Sequence, residues 1–147
     1  MNSSMKNAIN SAKNLIKEEG ASCIVIKDGC IISAERERGI APAVRLYDRG
    51  LLSGSLVVDK IIGRAAAFVF VLGGVTACHG VTVSAPAMEL LLKSGISVTA
   101  DNVTDCIINR KGDGMCPMEQ AVMNITDPEE ALLALRAKMA ELKAHSE

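Results

Sequence analysis

Apolar positions near the N-terminus recur at three- and four-residue spacing. Met5, Ala8, Ile9, Ala12, Leu15 and Ile16 share one stripe, which predicts an amphipathic helix over residues 2–19, stopped by Gly20. Two β-rich runs follow, residues 22–27 and 30–34, split by Asp28-Gly29. That dipeptide favours the two-residue type I′ turn and so predicts an antiparallel hairpin. A charged turn (35–39) leads to a helix over 40–49 with Pro42 in its first turn and Gly50 behind it. A small-residue loop (51–55) then precedes residues 59–72, read as a helix with Asp59, Lys60 and Arg64 at its start and an apolar body behind them. Such a body must be buried, and Gly73-Gly74 terminates it. Beyond it come a strand (75–84), a helix (85–94) with Pro86 near its start, and a strand (96–100). A last strand (105–109), a turn through Gly112 and Gly114, and a short helix (117–124) follow. Asp127-Pro128-Glu129-Glu130 combines an N-cap, an N1 proline and early acidic residues, so a closing helix is expected over 127–145.

A hairpin followed by alternating helices and strands predicts a three-layer α/β/α sandwich built on a mixed sheet. At 147 residues the chain reads as one domain spanning 1–147. Sixteen basic residues against seventeen acidic ones, no Trp and one Tyr supply neither a basic stripe nor a stacking platform, so no nucleic-acid partner is expected. The longest apolar run, 65–72, is far short of the roughly 20 residues that span a bilayer, so no membrane partner is expected either. Five cysteines at spacings that match no disulfide framework or structural zinc signature suit a reduced, cytoplasmic protein. The generous apolar content, 49 % of residues, makes a homo-oligomer a reasonable expectation.

The order of elements resembles the cytidine deaminase fold. More closely, the chain resembles a family of uncharacterised prokaryotic proteins with that fold, on four segments: Asp28-Gly29; Val58-Asp59-Lys60-Ile61-Ile62-Gly63-Arg64-Ala65-Ala66; Leu72-Gly73-Gly74-Val75; and Ile107-Ile108-Asn109-Arg110 through Gly114-Met115-Cys116-Pro117-Met118-Glu119. The resemblance implies the fold and no settled activity. Zinc deaminases carry a His or Cys followed two residues later by Glu at one helix start, and Pro-Cys-x-x-Cys at the helix after the next strand. Here the corresponding positions read Asp59-Lys60-Ile61 and Pro86-Ala87-Met88-Glu89-Leu90. Zinc, and a cofactor of any kind, is therefore not expected.

In α/β sheets, ligands sit beyond the carboxyl ends of strands and at helix N-termini. Placed at such a start, Asp59 is either an N-cap or a carboxylate that holds a ribose hydroxyl or acts as a base or nucleophile. Lys60 and Arg64, four apart on a helix, form either a solvated edge or, with Ser55 in the preceding loop, a cradle for phosphate. Asn109 and Arg110 end an apolar run and are further ligand candidates. Cys116, before a helix-starting Pro117, is either a packing residue or an activated thiol. Glu119 falls in that helix's first turn, where an acidic residue is favoured anyway. Asp113 reads as turn chemistry, and Cys78 and His79, adjacent on a strand, point to opposite faces. The expectation is a small-molecule-binding protein with a zinc-free pocket for a nucleotide-like or phosphate-bearing ligand. The alternatives are a regulatory or scaffold domain with an empty pocket, and a thiol enzyme using Cys116.

Overall fold

The computed structural model describes residues 2–146. Helix α1 (Ser3–Glu19) opens on Asn2, whose side-chain oxygen accepts the Met5 amide at 2.8 Å, and closes on Gly20 in the left-handed region. Strands β1 (Cys23–Lys27) and β2 (Cys30–Glu35) form the expected hairpin. Asp28 and Gly29 both have positive φ, 50° and 76°, as a type I′ turn requires.

After α2 (Ala41–Asp48) the structure departs from the expected order. Residues Leu56–Ile62 form a strand, β3, and the buried helix, α3, begins only at Arg64 and runs to Gly73. Leu56-Val57-Val58 and Ile61-Ile62 are short apolar, mostly β-branched runs, which periodicity alone does not separate from a buried helix. Pairing decides the matter: β3 is antiparallel to β1 on one side and parallel to β4 (Ala77–Ser84) on the other. Then come α4 (Ala85–Lys93), capped by the Ser84 hydroxyl, and β5 (Ser97–Thr104). The strand expected at 105–109 is absent; its residues make one bridge, Ile108 to Met115, and the last strand instead reaches Thr104. Helices α5 (Pro117–Val122) and α6 (Pro128–Ser146) close the chain, with Asp127 accepting the Glu130 amide as predicted.

The five-stranded mixed sheet has the order β2-β1-β3-β4-β5. One face, with Val25, Val57 and Cys78, packs under α2 to α6 around fully buried Phe68, Phe70, Leu91 and Leu135. The other, with Ile24, Val58 and Ala77, is covered by the stripe of α1 that the sequence predicted. The result is the three-layer α/β architecture. Gly80 in β4 permits a close approach: a Cβ there would collide with the buried Val83 side chain and lie 3.1 Å from Ile62 Cδ1. Among the described residues no helix is long and apolar enough to cross a membrane.

Candidate functional site

Because β3 is a strand, Asp59 is not a helix cap. It lies midway along β3, on the face covered by α2 to α6, opposite Cys23 of β1 and beside Gly80 of β4. Cys23 in turn opposes Glu35 of β2. Directly opposed residues of antiparallel strands share a face, so Glu35, Cys23 and Asp59 form one row of two carboxyls and a thiol. The Ile61 amide donates to Asp59 Oδ1 at 3.3 Å. Burial pushes the Asp59 carboxyl up to about 7, partly offset by hydrogen bonds from the Ile61 amide, the Cys23 thiol and the Lys60 amide. Burial first, and then the nearby Asp59 charge, raise the thiols of Cys23, well above its ordinary value, and of Cys78, to about 12. Both thiols are held neutral. A carboxyl raised toward neutrality in this way suits a general acid or base.

The start of α3 is occupied from within the chain. The Glu119 carboxylate of α5 accepts the Arg64 amide on Oε1 and the Ala65 amide on Oε2, each at 2.7 Å. Free helix-start N–H groups attract an anion; here a side chain from 54–55 residues away supplies it. Gly63 makes the fit possible, since a Cβ there would lie 2.6 Å from Glu119 Cδ and 2.8 Å from Oε2. Glu119 is buried at 8 % exposure.

Lys60 and Arg64 do not share a helix face. Lys60 projects from β3 toward α1, on the side of the sheet away from Asp59. Arg64 starts α3, donates to the Ile125 carbonyl at 2.5 Å and the Val122 carbonyl at 3.4 Å, and stacks over Phe68 at 4.8 Å. It ties the α5–α6 connection to the core. Ser55 is wholly buried before β3, its hydroxyl donating to Leu52 O at 2.7 Å, so it lies at the opposite end of the strand from Arg64. Asn109 belongs to a loop and not to a strand end; it closes a turn with Asp113, Nδ2 to Oδ1 at 2.9 Å and Asp113 N–H to Oδ1 at 3.2 Å. Arg110 is exposed on the same turn. Cys116 precedes α5, half-buried, its amide donating to Ile107 O at 2.9 Å. Of the expected site residues, the structure therefore leaves Asp59 and Arg64 on the face covered by α2 to α6, Arg64 already engaged by the α5–α6 connection, with Cys116 one turn before the Glu119 plug.

Against this geometry the family is plain. A model of the TM1506 family, described as a domain of unknown function (DUF1893), matches residues 11–139. The chain belongs to the DUF1893 family. It is similar to a solved DUF1893 protein from Thermotoga maritima, at 29 % identity over 92 % of this chain and 90 % of that one, with a TM-score of 0.80. It is also similar to a dCMP deaminase from the cyanophage S-TIM5, crystallised with dCMP and dUMP. That match has 13 % identity, 68 % of this chain and 98 % of that one, and a TM-score of 0.51. The second likeness is one of fold. No curated protein sequence matches the chain.

Deaminase zinc sites draw Cys and His ligands from two helix starts. In this DUF1893 chain the starts of α2, α3 and α4 read Ile40-Ala41-Pro42-Ala43, Gly63-Arg64-Ala65-Ala66 and Ser84-Ala85-Pro86-Ala87 and offer no thiol or imidazole; the start of α5 carries the lone thiol of Cys116, and both oxygens of Glu119 are engaged by backbone amides. These residues do not fit a zinc ion. Among the described residues no group of three His, Cys, Asp or Glu is placed to hold a metal.

Sequence reasoning undervalued Glu119 and did not find the partners of His79. His79 is buried at 5 % exposure; its Nδ1 lies 2.7 Å from Thr99 Oγ1 and its Nε2 faces Asp101 at 3.4 Å. Asp101 also takes Lys13 Nζ of α1 at 2.9 Å. The opposite facing of Cys78 and His79 was legible. Lys13 and Asp101 are 88 residues apart, and no local signal links them.

Proposed function

We propose that this DUF1893 protein binds a nucleotide-like small molecule in a zinc-free, deaminase-type pocket, with Asp59 as its working carboxyl. The observation that carries the reading is Asp59 itself: a carboxyl midway along the central strand β3, raised to about 7 by burial. In α/β sheets ligands sit beyond the carboxyl ends of the strands, and β3 ends three residues after Asp59, at Ile62. A carboxyl of this kind accepts a hydrogen bond from a ribose O–H or a base N–H when ionised and donates one when protonated. The dCMP deaminase with the same fold was crystallised with dCMP and dUMP, which makes pyrimidine nucleotides and nucleosides the first ligands to try.

The Glu119 plug bears on the phosphate. With both amides of the α3 start already paired, a ligand phosphate gains nothing there unless α5 moves. The same plug favours the second reading, a scaffold domain whose pocket is closed by its own chain.

Thermal unfolding with deoxycytidine, dCMP and dUMP, on the wild type and on Asp59→Asn, separates the two. The binding reading expects a midpoint rise with at least one of these ligands that is lost in Asp59→Asn. No rise with any of them moves the conclusion to the scaffold. The thiol reading is tested by timed alkylation near pH 7: Cys116 must react faster than exposed Cys30 for it to stand.

A further inference from the structure

On the far side of the sheet, α1 leaves a groove of about 590 Å³ lined by Lys13, Lys17, Asn10 and Asn14 of α1, Lys60 of β3 and Asp101 of β5, with Val81 and Ile16 as its apolar floor. We propose that this groove is a binding site for a small phosphorylated molecule. It is distinct from the Asp59 side and independent of the reading given above.

Three observations support it. The first is charge. Three lysines and one carboxylate line the groove, although the whole chain carries a formal charge of −1, so the positive excess is local. Lys13 is paired with Asp101 at 2.9 Å. Among the described residues, Lys17 and Lys60 have no ion-pair partner.

The second is the placement of Lys60. It stands on a central strand, on the same face as Val58, which is wholly buried. An apolar residue there would let α1 lie flat on the sheet. A lysine instead carries its ammonium to the groove, its stem along apolar surface.

The third is built polarity beneath. His79 is buried, and its Nε2 has no hydrogen-bond partner while facing the groove carboxylate Asp101 at 3.4 Å. Buried polar atoms are normally paired, so Asp101 is the group this imidazole meets, and this end of the groove is polar.

Size agrees with the charge, because small-ligand pockets run to roughly 300–1,000 Å³. A phosphate monoester would take Lys17 and Lys60 on its oxygens, with amide donors from Asn10 and Asn14. Lysines act toward phosphate as point charges.

The test is isothermal titration calorimetry of the full chain with inorganic phosphate and with glycerol 3-phosphate. Wild type, Asp59→Asn, and the double variant Lys17→Ala with Lys60→Met are compared. Methionine keeps the apolar stem, and the unliganded unfolding midpoint checks that each variant folds; if the double variant does not, Lys17→Ala alone, on exposed helix surface, carries the test. The proposal expects binding that weakens by about tenfold or more without the lysines, is unchanged in Asp59→Asn, and falls with added sodium chloride. No heat with either ligand up to about 10 mM overturns it. So does equal affinity in the lysine variants, or binding lost in Asp59→Asn and kept without the lysines.

Discussion

Two carboxylates, Glu119 and Asp59, were read at sequence level as helix-start residues; Glu119 does stand in the first turn of α5, where its partner is the start of another helix, whereas Asp59 lies in a strand. Glu119 satisfies two backbone amides that are otherwise without partners. Glu119→Ala is expected to cost about 2–3 kcal/mol, the scale of leaving buried donors unpaired by a charged acceptor, measured by guanidinium unfolding. A loss below about 0.5 kcal/mol would mean that water replaces the carboxylate freely. For Asp59 the sign is opposite. Its folded pKa, about 7 against an ordinary 3.8, means that the folded state holds a proton the unfolded chain has released. The Asp59 contribution to stability is therefore full below about pH 4 and is lost as pH rises toward 7. Asp59→Asn should flatten this slope and stabilise the protein at pH 8 by roughly 1–3 kcal/mol. Urea unfolding at pH 5 and pH 8 on both proteins checks it, and an unchanged slope would show that the carboxyl is solvated.

Among the elements, β3 and β4 set the geometry on which both faces depend. Gly80 lies beside Asp59 and gives Val83 and Ile62 room to pack. Val83 is wholly buried and β-branched, so it cannot swing aside. Gly80→Ala is expected to destabilise by about 1–3 kcal/mol through overpacking, and calorimetry that finds the midpoint unmoved would refute this. The C-terminal helix α6 holds the plug from behind. Its Leu135 is fully buried in the same core as α3, and Val122 of α5 packs there too. Leu135→Ala should cost about 2–5 kcal/mol and raise hydrogen exchange at the Arg64 and Ala65 amides, because Glu119 loses its support. The exposed Arg136–Asp48 pair at 2.7 Å is the contrast: Arg136→Ala should change stability by less than about 1 kcal/mol.

Taken whole, the molecule offers different chemistry on its two faces, a nearly neutral carboxyl beside thiols under α2 to α6 and a lysine-lined groove beside α1. Much of this fold was legible from one sequence. The α1 stripe, the Asp28-Gly29 hairpin, the glycine and proline punctuation and the Asp127 cap are local signals, since short-range sterics and backbone hydrogen bonds decide them. What local pattern did not decide was whether Leu56–Ile62 is strand or helix. Its short apolar run satisfies either, and only pairing with β1 and β4 selects the strand. That one choice moved Asp59 off a helix start, turned Lys60 to the opposite face and separated Arg64 from both. It also left the α3 start to Glu119, whose role depends on a contact across 54–55 residues. The sequence by itself determined which side chains are present and the conformations they favour over a few residues. Tertiary structure alone decided which of them meet, because the energy of those meetings comes from burial and pairing between segments far apart in the chain.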